Sequence, residues 1–410
     1  MIGSILVGDC IEHLRELPDG CVHCCVTSPP YWGLRDYGVD GQLGLEPTPE
    51  AYCQRMVEVF REVRRVLRDD GTLWLNVGDS FAAGGGYSPG APSNVSGSKS
   101  ARGAGNGDAK TGARTAPPGL KPKDLVGIPW RLAFALQADG WYLRSDIVWA
   151  KPNPMPESVT DRPTKSHEYV FMLTKRERYY WDATAVREPA AASSIARISQ
   201  ATFDTQTGGP KDYANGTNPN RSARKTLENF AKNPGRNIRD VWTIPTEPCA
   251  AAHFAVMPSA LVEPCIKAGT SERGCCQACG APWERVVERK GSESKAVGKS
   301  QAKRDVGLAT AFSGYADGSS APTFTTIGWV PTCKCDAGDP QPCVVLDPFF
   351  GAGTVGLVSE RLGRSYIGIE LNPEYAEIAR RRIATNGKAT VVAPDPEEQG
   401  RLFGGEEDAA

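Results

Sequence analysis

The sequence predicts an α/β protein, an open sheet with helices on both faces, and three observations carry that prediction. Short apolar runs alternate with segments of helical periodicity from Ile5 to Trp181, and again from Val344 to Ile383. A glycine-rich turn, Asp347-Pro-Phe-Phe-Gly351-Ala-Gly353-Thr354-Val-Gly356, follows one strand and opens a helix, and Glu370 ends the next strand. A second turn, Ser28-Pro29-Pro30-Tyr31, directly follows the apolar run Cys21–Val26. Consecutive prolines remove backbone donors, so the chain must leave the sheet there.

Taken in order, Ile5–Asp9 reads as a short strand ending in an acid, and Ile11–Leu17 as a helix closed by Pro18-Asp19-Gly20. Val57, Phe60, Val63, Val66 and Leu67 recur at helical spacing between Glu50 and Arg68; Asp70-Gly71 is expected to stop that helix before a buried strand, Thr72–Val77. From Phe81 to Pro122 the composition falls to Gly, Ser, Ala, Asn and Pro, which builds no core and predicts a flexible loop, 81–122, beside the site. The helix Ile128–Gln137 and the strands Tyr142–Trp149 and His167–Leu173 complete a first piece of core, residues 1–182. Residues 183–240 lose this rhythm. Lys211, Arg221, Arg224, Lys225, Lys232, Arg236 and Arg239 stand there among Asn, Tyr213 and Phe230, a composition suited to phosphate and base-edge contacts. A second piece of core, 241–268, holds Val241–Pro245 and a helix from Pro258 to Lys267. After a cysteine-rich interruption, 269–342, the last piece, 343–388, supplies the strand Val344–Leu346, an apolar helix Val355–Leu362, the strand Tyr366–Ile369 and the helix Pro373–Ile383. The acidic tail, 389–410, is expected to be disordered.

Composition bounds the function. No apolar run among the 410 residues approaches membrane-spanning length and the N-terminus lacks a signal pattern, so a cytoplasmic protein with no membrane partner is expected. A formal net charge of -1 leaves any nucleic-acid contact to a local basic surface. Of thirteen cysteines, Cys10, Cys21, Cys24, Cys25 and Cys53 lie in apolar contexts and read as small core residues. Cys276-x-x-Cys279 and Cys333-x-Cys335 differ. Two close pairs flanking a long polar stretch predict a zinc-ribbon insertion, four thiolates closing a structural Zn2+ site, with Cys275 or Cys343 as substitute ligands.

The two turns carry the chemistry. Ser28 offers a hydroxyl, Pro29 a carbonyl outside any ladder, and Tyr31 and Trp32 two rings, all at a strand's C-terminal edge. Two acceptors beside an aromatic face suit a planar ring bearing an exocyclic amine. In the other turn, glycines permit close backbone approach, helix amides face an anion, and Glu370 can hold ribose hydroxyls, which points to an adenosine cofactor. Only one helix and a polar tail follow Glu370, too little for the second half of a dinucleotide oxidoreductase. Earlier strands must complete the sheet. That places both turns at one edge and implies group transfer to the amine.

Thr27-Ser28-Pro29-Pro30-Tyr31 followed by Asp347-Pro-Phe-x-Gly-x-Gly-Thr resembles the DNA amino-methyltransferases, in the group whose catalytic motif precedes the cofactor motif. The resemblance runs from Leu6 to Ile383, apart from the loop after Ser80 and the insertion after Gly269. It implies a Rossmann-like S-adenosylmethionine-dependent methyltransferase sheet with Ser28, Pro29, Pro30 and Tyr31 catalytic. It further implies that Asp347, Gly351, Gly353 and Thr354 contact the methionine part of the cofactor, Glu370 the ribose and Asp9 the adenine. Phe349 and, from the looser match His253–Pro258, Phe254 are carried over as further cofactor contacts. Residues 183–240 become a target-recognition region. Ser-Pro-Pro-Tyr is more often seen in cytosine-N4 enzymes and Asp-Pro-Pro-Tyr in adenine-N6 enzymes, so the expected reaction is methylation of cytosine N4 in double-stranded DNA by base flipping. Adenine-N6 methylation is the alternative within the family, and a non-catalytic zinc-ribbon DNA-binding protein the alternative outside it. A separately acting cognate restriction endonuclease is the expected partner.

Overall fold

The computed structural model describes residues 3–33, 39, 41–82, 119–189, 236–248, 256–290, 323–336 and 338–386. The tail 389–410, Phe254 and most of both the 81–122 loop and the 183–240 region lie outside them. The chain divides into two compact units: Met1–Tyr180 with Asp240–Glu272 and Pro342–Ala410, and Trp181–Arg239 with Arg273–Gln341.

The first unit is built on one sheet. Its strands are β1 (Ser4–Val7), β2 (Val22–Thr27), β3 (Leu67–Val77), β4 (Tyr142–Ala150), β5 (His167–Thr174), β6 (Val241–Thr243), β9 (Val344–Asp347) and β10 (Ser365–Glu370). They lie in the order β1-β10-β9-β2-β3-β5-β4-β6. Every neighbouring pair is parallel except those of β5, which runs against both β3 and β4. The last two strands of the sequence therefore sit between β1 and β2. Strands from earlier in the sequence thus complete the sheet around them, as expected.

The helices α1 (Cys10–Glu16), α2 (Pro49–Val66) and α3 (Ile128–Ala138) pack in one cluster with Val22, Cys25, Leu73, Leu75 and Val77. Alternate residues of the same strands, Cys24, Thr72 and Trp74, face the other side and meet α4 (Ser259–Gly269). Helices α5 (Thr354–Arg361) and α6 (Pro373–Ala384) complete the unit. Two-sided burial of adjacent strand residues is what covering both faces of a sheet demands. Cys10, Cys24, Cys25 and Cys53 are buried free thiols and Cys21 is partly buried, as the apolar contexts implied.

Local chemistry sets the boundaries. Thr48 accepts the Ala51 amide at 3.1 Å and Pro49 occupies the first turn, so α2 starts there. It ends at Val66, earlier than expected, because Leu67 is drawn into β3 as a fully buried strand residue. Gly71 is not a helix stop. A Cβ at that position would come within 2.6 Å of Leu67 Cγ and 2.9 Å of the His23 carbonyl, so its role is close approach of β3 to β2.

The second unit holds a hairpin the sequence reading did not foresee, β7 (Trp283–Lys290) against β8 (Thr323–Pro331). The Arg285 guanidinium donates from Nη2 to Asp182 Oδ2 at 2.9 Å and from Nε at 3.0 Å, and lies 4.3 Å from the Trp329 ring centre. A buried ion pair thus fastens the hairpin to the start of the unit's first segment. Among the described residues no helix is long and apolar enough to cross a membrane.

Candidate active site

Strands β2 and β9 are parallel neighbours, with Cys25 opposite Leu346, so the turns that follow them emerge side by side. Thr27 Oγ1 donates to Asp347 Oδ1 at 2.6 Å and ties the two motifs together. A cavity of about 440 Å³ opens above them. Ser28, Pro29, Pro30 and Tyr31 form one part of its wall; Asp9, Asp347, Phe349, Gly351, Thr354 and Glu370 form another. Gly353 does not line the cavity. It caps α5 at φ 76°, and a Cβ there would stand 2.8 Å from the Ala379 Cβ, so glycine is needed for conformation and for packing on α6.

The cofactor side is acidic and buried. Asp347 is 3 % exposed, and its Oδ1 also accepts the Phe349 amide at 3.0 Å. Burial pushes its carboxyl up to about 7, partly opposed by those two donors, with Glu370 adding to the rise. Glu370 accepts the Gly351 amide at 2.6 Å and the Asn372 amide at 2.9 Å, and burial raises its pKa as well. Among the described residues neither carboxylate has a cationic partner. A ligand carrying an ammonium group and vicinal hydroxyls fits this wall. Asp9 also faces the cavity, while its Oδ1 caps α1 through the Ile11 and Glu12 amides. Arg382 bridges Thr354 Oγ1, at 2.7 Å, to Glu247, at 3.6 Å, so the stretch after β6 reaches the cofactor turn even though Phe254 lies outside the described residues.

The Ser28 side of the cavity is a hydrogen-bonded chain. Ser28 Oγ donates to Tyr31 Oη at 3.4 Å, and Tyr31 Oη donates to Glu168 Oε2 at 2.7 Å. Asn76 Nδ2 also donates to Glu168 Oε2, at 3.2 Å, and Lys151 pairs with the other carboxylate oxygen. Burial, reinforced by Glu168, holds the Tyr31 phenol well above its usual pKa. The Tyr31 ring rests against Gly78, where a Cβ would lie 2.6 Å from Cε2. The Pro30 carbonyl takes the Tyr52 hydroxyl at 2.9 Å, which fixes the turn. Trp32 is a core residue, 4 % exposed and bonded to the Glu46 carbonyl, so Tyr31 alone of the two rings reaches the cavity. Asn76, Lys151 and Glu168 were not singled out from the sequence. A polar Asn inside the apolar run Thr72–Val77 and an acid at the head of His167–Leu173 were the available signals.

In the second unit, Cys276, Cys279, Cys333 and Cys335 bring their sulfurs within 4.8 Å of one another. A tetrahedral ion with Zn–S bonds of about 2.3 Å holds its sulfurs roughly 3.8 Å apart, so the set fits such an ion. Neither Cys275 nor Cys343 belongs to it. The Cys279 amide, aided by that of Ala278, pulls the Cys276 thiol down to about 7, against burial.

One cavity is thus walled by the Ser28 turn and the Gly351 turn, at the C-terminal edge of an α/β sheet, where such sheets bind ligands. The family model for N6/N4 DNA methylases matches residues 22–276 and 341–381. Over 386 residues the chain is 40% identical to the type II methyltransferase M.Cfr9I of Citrobacter freundii, covering 93% of this chain and 87% of that one. It is 38% identical over 380 residues to M.SmaI of Serratia marcescens, covering 93% and 90%. Among solved structures, the cytosine-N4-specific PvuII DNA methyltransferase is 16% identical with a TM-score of 0.49, over 99% of this chain and 94% of that one. The chain belongs to the N6/N4 DNA methylase family, as the order and content of its two motifs implied.

Proposed function

We propose that this DNA methyltransferase acts on the exocyclic N4 amine of cytosine in double-stranded DNA, on a base flipped out of the duplex, with S-adenosylmethionine as donor. The supporting observation is the single cavity walled by both the Ser28 turn and the Gly351 turn. When bound, the cofactor supplies an electrophilic methyl group on a sulfonium. Asp347 is suited to its ammonium, Glu370 to its ribose hydroxyls and Asp9 to its adenine, with Phe349, Gly351 and Thr354 as wall, Gly353 shaping the turn and Phe254 a further contact. Ser28 and the Pro29 carbonyl accept the amine hydrogens while the base rests on Tyr31. The nitrogen lone pair is thereby aimed, and positioning with fixed dipoles supplies most of the rate. Serine at the head of the clamp favours cytosine.

The test is to incubate the protein with S-adenosylmethionine and mixed-sequence duplex DNA, digest to nucleosides and identify the methylated base by mass spectrometry. N4-methylcytosine is expected; N6-methyladenine overturns the base assignment and leaves the rest. Ser28→Ala is expected to lower turnover by roughly tenfold or more with cofactor binding kept. Undiminished turnover removes the clamp.

Residues 183–240 are assigned to target recognition, and the four cysteines to a structural Zn2+. The type II designation of M.Cfr9I and M.SmaI supports a separate endonuclease for the same DNA site as the cellular partner.

A further inference from the structure

We propose that Glu168 is a positioning residue and the proton sink of the reaction, reached from the target amine through the hydroxyls of Ser28 and Tyr31. The inference rests on the amine-clamp reading of Ser28 and extends it by a residue that lies some 140 positions away, on an antiparallel strand.

Direct attack leaves a proton to dispose of. As the base nitrogen bonds to the methyl carbon, the carbon–sulfur bond breaks and sulfur keeps the electron pair. The nitrogen is then cationic and must shed one hydrogen. The donors and acceptors of the site are ordered to take it. Ser28 Oγ donates onward to Tyr31 Oη at 3.4 Å, so its lone pairs are left for the amine; Tyr31 Oη donates onward to Glu168 Oε2 at 2.7 Å. A phenol has one hydrogen, and the bond at 2.7 Å takes it in preference to the contact with Asn76 Oδ1 at 3.4 Å. The amine can thus pass a proton to Ser28, Ser28 its own to Tyr31, and Tyr31 its own to Glu168. The products are a neutral methylated amine, two restored hydroxyls and one carboxylic acid.

The surroundings favour this route over a free serine or tyrosine anion. Burial and Glu168 hold the phenol well above its ordinary pKa, so Tyr31 must gain and lose its protons together. Glu168 is held from three sides, by Tyr31, by Asn76 and by the Lys151 ammonium, itself 4.2 Å from the Trp149 ring centre. Lys165 also faces it; that ammonium lies 3.9 Å from Asp79 and is pushed down chiefly by burial, with Asp79 and Glu168 opposing the shift. The Glu168 side chain is 16% exposed, enough to return the proton to water after each turnover.

Steady-state methylation of mixed-sequence duplex DNA tests the relay with Glu168→Gln, Tyr31→Phe, the double variant and Ser28→Ala. Glu168→Gln and Tyr31→Phe are each expected to lower kcat by roughly a hundredfold, with the KM for S-adenosylmethionine unchanged. The double variant should be no slower than either single variant, because both interrupt the same relay. Wild-type kcat in Glu168→Gln, beside a collapsed Ser28→Ala, overturns the relay and spares the clamp. Wild-type turnover in Ser28→Ala overturns both. Tyr31→Phe keeps the ring, so should Glu168→Gln fail to fold, undiminished kcat in Tyr31→Phe overturns the relay by itself.

Discussion

Asp347 shows how one buried side chain couples the site to solution conditions. Its carboxyl rises from 3.8 to about 7 in the folded protein, chiefly through burial, so between those values the folded chain holds a proton that the unfolded chain has released. Stability therefore falls as pH rises across that window and levels off above it. Asn at this position keeps an oxygen for Thr27 Oγ1 and the Phe349 amide without the charge. Asp347→Asn is expected to exceed wild type in urea unfolding at pH 8, by up to about 4 kcal/mol, and to lose that advantage toward pH 4. Parallel profiles would show that the carboxyl is not perturbed. The residues legible in the sequence were those whose chemistry is written locally: prolines that break a strand, glycines that need a positive φ, an acid ending a strand. Asn76 and Glu168 were not. They meet because β5 runs back along β3, pairing Asn76 with Val170 and Val77 with Tyr169, and no local pattern announces an antiparallel strand in a mostly parallel sheet.

At the scale of elements, strands and helices of the sheet were readable because their burial imposes a period, while their ends depended on neighbours. Periodicity carried α2 to Arg68, but pairing of Val22 with Leu67 pulls the chain into β3 after Val66. The hairpin β7–β8 was missed because β7 is rich in charged residues and both strands lie in a stretch whose cysteines and polar run dominate the pattern. Helix α4 shows what fixes an element in place. Its last residue, Gly269, lies over β2 and β3, where a Cβ would meet Thr72 Oγ1 at 2.4 Å, Cys24 Sγ at 2.9 Å and Trp74 Nε1 at 3.3 Å. Thr72 and Trp74 are themselves hydrogen-bonded at 3.1 Å, so the neighbours cannot easily give way. Gly269→Ala is expected to cost about 1–3 kcal/mol in urea unfolding. An unchanged midpoint would mean that α4 lifts from the sheet without penalty.

At the scale of the whole molecule, the sequence separates what function joins. The catalytic unit is assembled from three stretches of chain and the second unit from the two stretches between them. Composition set residues 183–240 and 269–342 apart from the runs whose periodicity demands a buried face. It could not say that both interruptions build one unit, since the Asp182–Arg285 pair that links them is two ordinary charges until the chain folds. This architecture makes the proposed metal separable from catalysis. Among the described residues the second unit holds the β7–β8 hairpin beside the cysteine cluster, and four thiols gathered around one point are suited to cross-link it. The protein as purified is expected to carry one Zn2+ per chain by elemental analysis, and Cys276→Ser or a strong chelator should remove it. Hydrogen exchange should then rise in β7 and β8 while S-adenosylmethionine binding, measured by calorimetry, is retained. Well under one zinc per chain with a hairpin still protected would leave the cysteines as free thiols. Loss of cofactor binding together with the metal would instead show that the catalytic sheet depends on the insertions it carries.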